Sequence, residues 1–209
     1  MAEKKGWHRN SKSPPHKGVV GGATVEPIRL KRNIRKIKEV LGDHARDLAL
    51  FTLGINTGLR GSDLLSLRFK DVLTKEDKIV SKLEVVETKT KKKRKIKLGP
   101  KPRKALMALL PNDLDDLDVN AYLFPSRKGG RMTIQRLHQL LNTWCDKAGV
   151  KGHFGSHTLR KSYGYHLYKN GADIVLLMKA FGHSNQAVTL RYIGIEDEQI
   201  DEANLNLNL

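Results

Sequence analysis

The chain has 209 residues, with 39 Lys or Arg against 22 Asp or Glu and a formal net charge of +17. Its 39% hydrophobic content is enough for one sizeable core, which excludes a wholly disordered chain, and no uninterrupted apolar run approaches the ~20 residues of a membrane-spanning helix. Such an excess of cations points to a polyanionic partner, nucleic acid first, although a merely solvated basic surface has the same composition.

In chain order, residues 1–26 read as a basic, Pro/Gly/Ser-rich arm without the apolar core of a signal peptide. Order is expected from Pro27 to Ile195, followed by a tail over 196–209, acidic and then alternating Asn and Leu. Leu30, Ile34, Ile37 and Leu41 recur at helical spacing up to a stop at Gly42, and a second apolar helix spans Ala45 to Asn56. The turn TGLRGS follows, where Ser62 can cap a short helix carrying Leu64, Leu65 and Leu67. KIVSKLEVVETK and KRKIKLG then predict a small antiparallel sheet with a basic hairpin over Lys78–Lys97.

Helical patterns return at Arg103–Leu110. A strong helix starts at the Thr133 cap, carries Ile134, Leu137, Leu141 and Trp144 on one face and stops at Gly149. After HFGSHTLR a helix runs to about Gly171, Asp173 caps another that Gly182 ends, and the last carries Tyr192. The class is α+β, mainly α-helical with a small antiparallel sheet. Cys145 is the only cysteine, so no intrachain disulfide can form, which suits a reducing cytoplasm; beside Trp144 it reads as a packed thiol.

The polar residues at element ends form a chemical set. Arg60 sits in the Gly-flanked turn, Lys89 in the hairpin, His157 and Arg160 three apart at a helix start, His183 after a helix-ending glycine, and Tyr192 nine residues later. Phosphoryl transfer on DNA without a metal needs such groups. Arginine forks neutralise the added charge on the nonbridging oxygens. A tyrosine hydroxyl, weakly nucleophilic near neutral pH, needs a base or a cationic field. A lysine on a mobile hairpin can protonate the leaving 5′ oxygen. No carboxylate cluster for magnesium and no Gly-rich nucleotide loop appears in the sequence, so no metal or other cofactor is expected.

The motifs TGLRGSDLLSLRFKDV, ETKTKKKRKIKL, HTLRKSYGYHLYKNG and LMKAFGHSNQAVTLRYIGI lie in order over roughly residues 50–195. Together they resemble the catalytic domain of the tyrosine recombinases, the phage-integrase family. The resemblance implies a catalytic domain over 27–195 and the following roles. Tyr192 attacks the scissile phosphate and forms a 3′-phosphotyrosyl bond. Arg60 and Arg160 clamp the nonbridging oxygens, and His183 hydrogen-bonds the phosphate. His157 serves in proton transfer, and Lys89 protonates the leaving oxygen. Asp63 supports the site from behind. It further implies double-stranded DNA as partner, a tetramer on DNA formed by a chain that can be monomeric in isolation, no membrane, and a cytoplasmic, DNA-associated protein. The tail, with Ile193, Ile195, Ile200 and Leu205, is expected to dock on a neighbouring copy or to fold back on its own domain.

The family's hairpin ends in I-P-L where this chain has I-K-L, which leaves Lys91 as the alternative to Lys89. The run Lys91, Lys92, Lys93, Arg94 and Lys95 reads as a strip of phosphate contacts or a solvated face. His138, His153 and His166 read as structural or surface residues, and Tyr163, Tyr165 and Tyr168 as core or rim. Members of the family commonly carry an N-terminal helical domain on the other face of the DNA, and only about 26 residues precede the pattern here. Site-specific strand exchange (integration, excision or inversion) is the first functional reading. The alternatives are relaxation by a type IB topoisomerase and a DNA-binding regulator that does not cut.

Overall fold

The computed structural model describes residues 25–195 and 204–207. The expectations for the arm up to residue 24, and for 196–203, 208 and 209 of the tail, lie outside the described residues. The helices are α1 (Lys31–Val40), α2 (Ala45–Thr57), α3 (Gly61–Leu65), α4 (Phe69–Val72), α5 (Pro100–Met107), α6 (Ile134–Lys147), α7 (Thr158–Lys169), α8 (Ile174–Phe181) and α9 (Gln186–Ile193). A two-stranded sheet, β1 (Lys82–Val86) and β2 (Lys93–Lys97), lies between α4 and α5, and a single helical turn covers 204–207. Among the described residues no helix is long and apolar enough to cross a membrane.

Helix α2 is apolar almost all round (ARDLALFTLGINT) and is therefore the central helix, with α5 and α7 packed against it. Gly58 ends it in the left-handed conformation at φ 59°, and a side chain there would run into the ring of Tyr163. The antiparallel strands pair Leu83 with Ile96 on the core side, while Glu84 and Lys95 pair on the solvent side at 2.7 Å. Helix α6 starts where its sequence predicts, with Thr133 Oγ1 accepting from Arg136 N at 3.1 Å, and its Phe51–Trp144 contact is edge-to-face at 6.2 Å.

Several boundaries differ from expectation; the sheet, for one, opens at Lys82 rather than Lys78. The short helix α3 opens at Arg60, not at a Ser62 cap: the Arg60 carbonyl accepts from Leu64 N at 2.9 Å, and Ser62 lies inside the helix. Helix α5 begins at Pro100 rather than Arg103, because proline preset for helical φ needs no N–H in the first turn.

The buried side chains form two clusters. The main one joins α1, α2, the sheet, α5, α6 and the start of α7. The smaller one comprises Tyr165, Leu177, Phe181, Ile193 and Ile195. The apolar contacts that the sequence offered to a neighbouring copy through Ile193 and Ile195 are made here, inside the domain, where both are 0% exposed. Leu205 stays exposed. The entering segment at 25–29 straps both ends of this layer: Ile28 N donates to Ser162 Oγ at 2.7 Å and Arg29 Nη2 to the Gly194 carbonyl at 3.1 Å.

Candidate active site

The site lies where the end of α2, the start of α7, the end of α8 and the end of α9 meet the hairpin. Tyr192 is the penultimate residue of α9, held by Asn185, whose Oδ1 caps the helix by accepting from Val188 N at 2.9 Å. Tyr192 Oη is 3.1 Å from His157 Nδ1. His157 stands at the N-cap position of α7, and Arg160, one turn on, is 3% exposed. The i, i+3 spacing thus turns both toward the tyrosine.

The two arginines converge on one atom. Arg60 Nη2 donates to the Phe181 carbonyl at 3.4 Å and Arg160 Nη2 to the same carbonyl at 3.2 Å. Arg160 Nη1 also donates to the Gly58 carbonyl. The Phe181 ring lies 5.3 Å from the ring of Tyr192, and the His183 ring lies 5.1 Å from it. His183 Nδ1 is 3.1 Å from Thr189 Oγ1, which donates its own proton to the Asn185 carbonyl at 3.2 Å; the histidine is therefore the donor in that pair.

These contacts set the protonation states. Burial raises the Tyr192 pKa above the usual 10.0, with Arg160 and Arg60 opposing it, so the hydroxyl keeps its proton near neutral pH and would need an acceptor to act as a nucleophile. Desolvation, then Arg160, Lys161, Arg60 and Lys89, holds the His157 pKa below the usual 6.5, so a neutral imidazole faces the phenol. Burial, with Arg160 and Arg60, lowers His183 in the same way. Arg160 is brought down to about 10 by burial and by Arg60 and Arg94, and remains a cation at neutral pH.

Lys89 is exposed on the hairpin, and its charge acts on His157; Lys91, also exposed, takes a left-handed backbone at φ 57°. Asp63 is 2% exposed and its Oδ1 accepts from Thr88 N at 2.9 Å, so it acts on the hairpin next to Lys89 rather than on Arg60. Lys91, Lys92, Lys93 and Lys95 are exposed, as a strip of phosphate contacts requires. Arg94 departs from that strip. It turns inward, donating to the Thr57 carbonyl at 2.9 Å and the Gly58 carbonyl at 3.4 Å.

His138 and His153 are exposed, and His166 contacts the Ile28 carbonyl at 2.9 Å. Tyr165 is buried; Tyr163 and Tyr168 are half-buried against the smaller core. Cys145 is buried, which with Asp146 pushes its thiol up to about 12, the wrong direction for a nucleophile.

Sequence reasoning missed four contributors. Phe181 acts through its carbonyl and its ring. Thr189 orients His183 from one helical turn before Tyr192. Lys161 is 6% exposed with Nζ 5.3 Å from the Tyr192 ring centroid. Glu87 places Oε2 2.7 Å from Arg60 Nη1. Only Thr189 and Lys161 left a trace in the sequence, as near neighbours of motif residues; the other two depend on the tertiary fold.

Residues 30–199 match the phage integrase family. The chain is 38% identical over 177 residues to a Bacillus subtilis (strain 168) protein named "Probable integrase/recombinase YoeC", covering 83% of this chain and 92% of that one. It is 31% identical over 160 residues to the tyrosine recombinase XerC of the same organism, covering 74% of this chain and 51% of XerC, and so spans about half the length of that relative. Its fold matches the crystal structure of the XerH site-specific recombinase bound to its palindromic difH substrate, at a TM-score of 0.64 and 22% identity over 88% of this chain and 53% of that one.

Proposed function

The chain belongs to the phage integrase family of tyrosine recombinases, and from that premise we propose that it breaks and rejoins DNA strands at specific sites through a covalent bond between Tyr192 and a 3′ phosphate. Tyr192 Oη attacks the scissile phosphorus as its proton passes to His157 Nδ1. The P–O5′ bond breaks, and the leaving 5′ oxygen takes a proton from the Lys89 ammonium. Arg60 and Arg160 neutralise the nonbridging oxygens in the transition state, and His183 adds a contact to the phosphate. The phosphodiester energy is kept in the tyrosyl link, so attack by a free 5′ hydroxyl reverses the chemistry and exchanges strands.

The observation that carries this reading is the contact of 3.1 Å between Tyr192 Oη and His157 Nδ1 beside two convergent arginines. It favours a cutting enzyme over a silent regulator, for which such a constellation has no use. Exposed Lys91, Lys92, Lys93 and Lys95 supply a path for the DNA backbone. The assembly on DNA is a tetramer in this reading. Support comes from exposed Leu205 and Leu207 in a tail of acidic sequence, and from a basic groove between β2 and α8 that includes Lys93, Lys179, Leu176 and Ala180.

The test is covalent trapping on nicked duplexes from which the cut end diffuses away. The expected product is an SDS-resistant protein–DNA species whose modified peptide contains Tyr192. An adduct on another residue, or none alongside normal DNA binding, rejects the assignment.

A further inference from the structure

Glu87 is a buried carboxylate that the strand-transfer chemistry does not use. It is 7% exposed at the base of the hairpin, and its side chain meets three groups: Arg60 Nη1 at 2.7 Å, Thr90 Oγ1, which donates to it at 2.7 Å, and Arg94 Nη1 at 3.9 Å. Burial acts to raise its pKa, but the contacts with Thr90 and Arg60 and the charges of Arg60 and Arg160 outweigh that and hold it ionised. Its backbone closes the same loop, with Glu87 N donating to the Lys92 carbonyl at 3.0 Å and Lys91 N to the Glu87 carbonyl at 2.8 Å.

Resting on the reading of Lys89 as the leaving-group acid, we propose that Glu87 is a positioning residue for that acid: its carboxylate fastens the hairpin loop at 88–91 to the Arg60 fork, so that Lys89 stands in register with the clamped phosphate. Lys89 lies between two tethers. On one side Asp63 holds Thr88 N at 2.9 Å; on the other Glu87 holds the Thr90 hydroxyl at 2.7 Å. An exposed lysine on a loop samples many positions, and fixing the backbone on both sides of it restricts where its ammonium can reach.

The arginine and the loop depend on Glu87 differently. Arg60 is held by the Phe181 carbonyl as well as by Glu87, and a bound phosphate would supply it with another anion. Thr90 has the Glu87 carboxylate as the acceptor for its hydroxyl. Loss of Glu87 is therefore felt at the proton transfer to the leaving oxygen more than at the clamp.

The experiment compares single-turnover cleavage of two duplexes, one normal and one with sulfur replacing the bridging 5′ oxygen of the scissile phosphate. A thiolate leaves without a proton, so the sulfur duplex does not need the acid. Lys89→Ala and Glu87→Ala are each expected to be about tenfold or more slower on oxygen and within about threefold of the unsubstituted protein on sulfur. Arg160→Lys stays slow on both. Thr90→Val, which removes the tether and leaves the carboxylate with Arg60, shows a smaller loss with the same sulfur recovery, and it decides the matter if Glu87→Ala does not fold. Equal losses on oxygen and sulfur, or no loss on oxygen, overturn the proposal. If the unsubstituted protein forms no Tyr192 adduct on either duplex, the recombinase reading itself fails, and that result is distinct from a failure of Glu87.

Discussion

The guanidinium of Arg160 lies 4.7 Å over the ring of Phe181 and donates to the same residue's carbonyl at 3.2 Å. One residue at the end of α8 thus holds the arginine by its face and by its edge. A planar, forked cation fits both demands; an ammonium fits neither well. Arg160→Lys keeps the charge and is expected to lower the cleavage rate by about 10²-fold or more, with DNA affinity little changed. Single-turnover kinetics beside a binding titration checks this, and an equal loss in both would place Arg160 in ground-state binding.

Tyr192→Phe removes the proposed nucleophile and little else. The ring keeps its packing against Phe181 and His183. Adduct formation is expected to vanish while affinity stays within about fivefold, because one hydroxyl contributes on the order of 1 kcal/mol or less to binding. Residual cutting by the Phe variant would show that another residue attacks.

Acid sensitivity follows from His157, His166 and His183, whose pKa values all lie below the usual 6.5, with burial the leading cause in each. The unfolded chain takes up these protons first. Stability is therefore present above pH 6.5 and is lost as the pH falls below it, until the folded-state values are passed. The melting temperature is expected to fall from pH 7 toward 5, and His166→Asn, away from the reactive groups, to flatten the fall. An unchanged slope in that variant would remove His166 from the account.

Gly164 lies on α7 under α9. A methyl group there would stand 2.5 Å from Phe181 Cζ and 2.6 Å from Ile193 Cγ2, both on buried side chains. Gly164→Ala is expected to cost about 1–3 kcal/mol of stability through overpacking. It should also slow cleavage, because the residues it displaces flank Tyr192. Denaturant unfolding and adduct formation measure the two effects, and a stable but uncut phenotype would separate them.

Much of this architecture was legible from spacing. Tyr192, His157 and Arg160 stood out only as members of an ordered set of motifs resembling one family, and the β-branched run KIVSKLEVVETK foretold the hairpin. What escaped was set by tertiary placement. A carbonyl such as that of Phe181 has no side-chain signature. Glu87 reads as one acid in a basic strip until the fold brings Arg60 to it. Arg94 looks like its lysine neighbours, and only the pleat of β2 reveals that it turns inward. Ile193 and Ile195 looked free for a partner because their own pocket comes from α7 and α8, elsewhere in the chain.

The division of the buried side chains into two clusters has a dynamic consequence. Tyr192 and His183 rest on the smaller one, while α2, which leads into the Arg60 turn, belongs to the larger. The smaller cluster joins α8 and α9 to α7 through few buried apolar side chains, so this pair is expected to be a unit of lower local stability than α2. Its amide protons should exchange with solvent well before those of α2. Opening would carry the nucleophile out of reach of the phosphate while the arginine turn and the hairpin stay folded, so the enzyme's idle and armed states would differ by the docking of one helical pair.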